Sequence, residues 1–139
     1  MLTATRLRRL PNWRVYLDAV LHARRRAPFA WGSNDCAIFA ADCVRAQTGV
    51  DLADGLRGQN ARQAIRTVRR HGGIAALATR ALGPACDARW ASLGDVVLLY
   101  AGKREALGVC IGDGELVGPG PAGLALLPMS AALAAWRVG

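Results

Sequence analysis

Histidine is scarce in this chain. Only His22 and His71 stand among 139 residues, so chemistry that needs an imidazole as base or ligand has two places to find it. Paired cysteines are missing too: Cys36, Cys43, Cys86 and Cys110 form no C-x-x-C spacing, and no His-x-x-x-His pair exists. Zinc and cluster sites therefore have no signature, and no metal or other cofactor is expected. If Cys36 and Cys43 share a helix, their seven-residue separation puts the Cα atoms about 10 Å apart, beyond the reach of a disulfide. A membrane-spanning run is also lacking. Residues 116–136 carry no charge, but Pro119, Pro121 and Pro128 with Gly118, Gly120 and Gly123 break any helix there. The N-terminus MLTATRLRRLPNW is basic without the apolar stretch of a secretory signal, so synthesis in the cytoplasm is expected.

Lysine is the rarest charge. Lys103 is the lone lysine against seventeen arginines and ten acids, for a net charge of +8. Arg6, Arg8, Arg9, Arg14 and then Arg24 to Arg26 form a basic N-terminal region suited to nucleic acid or to an acidic protein face. Aromatics do not interleave with it as a stacking platform requires. Nucleic acid is therefore not the expected partner.

What the chain does have is apolar material. At 53% hydrophobic residues it can bury a core as one domain, residues 1–139, with residues 1–12 as a flexible leader. Trp13, Tyr16, Leu17, Val20 and Leu21 recur at helical spacing, which predicts an amphipathic helix from Trp13 to about Arg26. His22 falls on its polar side. A second helix, apolar nearly all round, runs from a cap at Ser33, Asn34 or Asp35 to a stop at Gly49. After a polar loop, Asn60 caps a third helix that ends at His71-Gly72-Gly73, and IAALATRAL makes a short fourth ending at Gly83.

After Trp90 the period shortens. GDVVLLY, ALGVCIG, ELVG and LALLP, separated by Gly, Pro, Lys and Asp, read as an antiparallel meander, and the tail SAALAAWRVG as a short helix or an edge strand. Helices first and strands second predict an α+β domain with helices over one face of a small sheet.

Chemistry points to WGSNDCAIFAADC, residues 31–43. Cys36 opens the second helix, where the dipole and free N–H groups favour a thiolate. Together with the Gly-Asp strand, the A-L-G-V-C-I-G strand, R-R-H-G-G and the closing A-W-R-V, this resembles the papain-like NlpC cell-wall cysteine peptidases. It is more similar still to a branch encoded among tail genes of siphophages, Mu-like prophages and gene transfer agents, over Trp13 to Val138. The resemblance implies an NlpC-type fold and puts Cys36 at the nucleophile position. The base position holds Ala106, the orienting position Gly118, and the tyrosine that assists the oxyanion is replaced by Phe29.

Without that imidazole a thiol has neither base nor acid for amide cleavage. The remaining motif then reads as structural: Phe29 and Trp31 filling the gap between helix and sheet, Gly32 making the turn, Asn34 or Asp35 capping the helix, Cys36 packing as a small apolar group. The expectation is a structural component of a phage tail tip, assembled in the host cytoplasm and carried in the virion tail. Its implied neighbours are the tail hub, distal tail and central fibre proteins. The alternative is an active peptidase or amidase that cuts peptidoglycan during entry, with Cys36 as nucleophile.

Overall fold

The computed structural model describes residues 7–139. Arg6, one of the basic N-terminal group, lies outside the described residues, as does the first half of the expected flexible leader. Four α-helices come first: α1 Trp13–Arg24, α2 Cys36–Thr48, α3 Ala61–Arg70 and α4 Ile74–Leu82. Five strands follow: β1 Val96–Ala101, β2 Arg104–Gly112, β3 Glu115–Gly120, β4 Gly123–Pro128 and β5 Ala134–Trp136. They form one antiparallel sheet in the order β4-β3-β2-β1-β5, so the domain is α+β. The tail that read as helix or strand becomes the edge strand on β1.

α2 is the central helix. Ile38, Phe39, Ala40, Ala41, Cys43 and Val44 are buried along it, and they meet Val96, Leu98, Leu107, Val109 and Trp136 from the sheet. Each large apolar side chain removed from water here is worth roughly 1.5–3 kcal/mol. The helix ends as its sequence indicates, at Gly49 with φ +79°. α1 lies on α2 less deeply. Only Leu17 is fully buried, while Tyr16 is 46% exposed, which corrects its placement on the apolar side: α1 touches the core along a narrower line than its periodicity suggests.

The far face of the sheet has its own small cluster, Val97, Leu99, Cys110, Leu116 and Ala135, covered by Cys86, Ala91, Met129 and Ala132. All four cysteines are free. Among the described residues no helix is long and apolar enough to cross a membrane.

Polar side chains fasten the distal end of α2. Gln47, fully buried, donates from Nε2 to the carbonyls of Cys43 and Gly94 and accepts from Arg9 Nε. Asp95 is 1% exposed. Its oxygens accept from the backbone and hydroxyl of Ser92 and the backbone N–H of Val138, with Arg9 Nη2 at 3.3 Å. Burying a carboxylate requires such a set of donors. Here they join the N-terminal segment, the start of β1 and the C-terminus.

Candidate functional site

The turn before α2 is built from its own side chains. Asp35 caps the helix: Oδ1 accepts from the Ile38 N–H and Oδ2 from the Gly32 N–H, each at 3.0 Å. Ser33 and Asn34, the other capping candidates, do not serve. Ser33 is exposed, and Asn34 is occupied elsewhere, donating to the carbonyls of Ala27 and Pro28 and accepting from Arg24. Gly32 has φ +80°, and a Cβ there would stand 2.5 Å from the Gln59 carbonyl oxygen. The turn therefore closes onto the loop before α3, and the Gly58 N–H donates to Gly32 O at 2.8 Å. Asp42, the acid of the F-A-A-D run, binds Arg24 and Arg57. Arg57 also hydrogen-bonds Asp51 and so holds that carboxyl below its ordinary range.

Phe29 and Trp31 do not fill the space between helix and sheet. They are 37% and 41% exposed and meet edge to face, centroids 4.9 Å apart. The gap they were expected to occupy is closed by Ile38 and Phe39 of α2 itself. The two rings instead form part of the wall of a cleft of about 530 Å³.

Cys36, Ala106 and Gly118 all line this cleft. The paired register of β2 and β3 stops at Val109 opposite Val117, while Ala106 pairs with Leu99 of β1 and Gly118 with Ala125 of β4. The backbone amide of Leu107 lies next to the Cys36 sulfur. Burial nonetheless pushes the Cys36 thiol above its ordinary range, and the charge of Asp35 adds to this, outweighing the N–H groups of Leu107, Ala37 and Cys36. The helix-start position, expected to favour the thiolate, does not prevail because desolvation of the half-buried Cys36 outweighs it.

No histidine lines the cleft. His22 is exposed on α1, and His71 closes α3 with Nδ1 2.9 Å from the Thr67 carbonyl. Among lining carboxylates, Asp35 is committed to its cap and Glu105 belongs to the β1–β2 hairpin end. Among the described residues no group of three or more His, Cys, Asp or Glu side chains is arranged to hold a metal ion.

Sequence reasoning missed one wall. Ala64, Ile65 and Val68 of α3 face the cleft with Arg69 beside them, and no residue of α3 is buried. The signal was the sharp amphipathicity of a helix whose apolar stripe is small. Leu99, Leu127 and Arg104 also line the cleft, brought there by the sheet order alone.

A profile of the family DUF6950, a domain of unknown function, matches residues 8–138. The chain belongs to that family. No curated protein matches it.

Proposed function

We propose that this member of DUF6950 is a papain-like, NlpC-type domain whose hydrolytic site has decayed, and that it serves as a structural component of a bacteriophage, prophage or gene-transfer-agent tail tip. One observation carries the loss of chemistry: the cleft that holds Cys36 is lined by Ala106 and Gly118 and by no imidazole. A thiol kept protonated by burial needs a base to become a nucleophile, and the leaving amine needs an acid. General acid–base help is worth on the order of 10² to 10⁴ in rate, and members of a nucleophile–base unit fail together. What persists around Cys36 is construction: the Asp35 cap, the Gly32 turn and the Asn34 contacts hold the cleft's shape without it. The tail location rests on the motif resemblance over Trp13 to Val138, with hub, distal tail and central fibre proteins as the neighbours it implies.

Purified chain incubated with peptidoglycan sacculi tests the first half by mass spectrometry of released muropeptides. No release above a Cys36→Ala control is expected. Co-purification with tail-hub and distal-tail proteins, and its presence in purified particles, test the second half; absence from particles would overturn it.

The open cleft favours one other reading, a peptidase or amidase acting on peptidoglycan through Cys36. Muropeptide release abolished by Cys36→Ala would establish that reading in place of the first.

A further inference from the structure

α3 is an amphipathic helix with no buried residue. Ala64, Ile65 and Val68 project into the cleft, and Leu99, Leu107 and Leu127 line it from the sheet. At about 100° of turn per residue, Arg69, Arg62 and Arg66 follow one another around the flank next to Ile65, so the arginine stripe adjoins the apolar wall. None of these three arginines has an ion-pair partner among the described residues, and residues 60–86 contain no Asp or Glu. A half-buried apolar lining, Ala64, Ile65, Val68 and Leu127 over the buried Leu99 and Leu107, therefore runs beside a row of unneutralised guanidinium groups.

We infer that this cleft receives a segment of a partner protein that inserts apolar side chains between α3 and the sheet and sets acidic residues against Arg62, Arg66 and Arg69. The inference rests on the scaffold reading above and names the chemistry of the partner. Guanidinium groups beside an apolar pocket pair carboxylates while the pocket is desolvated by aliphatic or aromatic side chains. Nucleic acid fits less well. Its phosphates would have to cross an apolar floor, and Phe29 and Trp31 engage each other edge to face instead of offering a stacking platform. Glu105 is the lining carboxylate not tied up in a cap, so the acids of the segment belong on the α3 side and not at the hairpin.

The test is selection of a yeast-displayed library of random twelve-residue peptides against the full chain. Selected peptides are then measured by fluorescence anisotropy, alongside a single-stranded oligonucleotide of mixed sequence. Expected are peptides that combine apolar anchors with Asp or Glu, weakened about tenfold between 50 and 500 mM salt. A further loss of tenfold or more is expected in the Arg62→Glu, Arg66→Glu, Arg69→Glu triple variant, whose changes are all on exposed positions and whose fold is checked by circular dichroism. Ile65→Asp, which puts a charge on the apolar wall, is expected to weaken the same peptides. Failure to enrich any sequence, enrichment without acidic residues, indifference to the triple variant, or tighter binding of the oligonucleotide would each overturn the inference. These outcomes are separate from muropeptide release: an inert chain that selects no acidic peptide keeps the scaffold reading and loses this one.

Discussion

The backbone amide of Leu107 lies next to the sulfur of Cys36, one residue along β2 from Ala106. The strand thus meets the thiol with an amide, which accepts no proton. Burial then raises the thiol above its ordinary range, outweighing the nearby backbone N–H groups.

Alkylation of Cys36 follows from this. At pH 7 its rate with iodoacetamide is expected to be at least about tenfold below that of the urea-unfolded chain, and to climb above pH 9, because the thiolate is the reactive form. Peptide mapping identifies the site, with Cys36→Ala as control. Full labelling at neutral pH within the time of the unfolded chain would contradict it.

Alkaline pH is expected to destabilise the fold. Burial holds the Cys43 thiol up to about 12, against about 8.5 in an unfolded chain. The folded state keeps a proton that the unfolded state gives up. The contribution is intact below about pH 8.5 and declines between there and about pH 12, by up to about 1.4 kcal/mol per pH unit. Urea midpoints between pH 7 and 10.5 check this, with Cys43→Ala flattening the slope.

Gly32→Ala is expected to cost roughly 2–4 kcal/mol, since it adds left-handed strain to a collision. The new Cβ would meet the Gln59 carbonyl at 2.5 Å. Gly55→Ala is the matched comparison, with φ +85° and nothing within 4 Å, and should cost only about 1 kcal/mol. Equal losses in chemical denaturation would show that the contact with the loop before α3 does not matter.

Asp95→Ala is expected to cost roughly 3–5 kcal/mol, because it strands buried donors and the half-buried Arg9 charge together. Removing Val138 and Gly139 takes away one of the same hydrogen bonds together with a fully buried valine side chain, and should cost roughly 2–4 kcal/mol. Denaturant titration of both variants gives the ranking.

Local signals were legible in the chain. The Asn60 cap appears as a capping box with Gln63, Gly49 and Gly83 end their helices, and the change of period after Trp90 marks the sheet. Side-chain placement was less so. Tyr16 reads as apolar but faces water, and Phe29 and Trp31 read as core but stand at the cleft. In each case a large ring with helical or turn spacing goes wherever the neighbouring element leaves room, and spacing carries no record of that.

By itself the sequence determined the order and type of the elements, through turn residues, caps and periodicity that act within a few positions of each other. It also determined that position 106 carries no imidazole, which is a matter of composition. The tertiary structure alone decided that α3 shares a cleft with the sheet, its apolar stripe only half covered, and that burial raises the Cys36 thiol in spite of its place at a helix start. Both depend on solvent exclusion by residues up to roughly ninety positions apart along the chain, and desolvation is a property of that assembled surrounding, not of the neighbours in sequence.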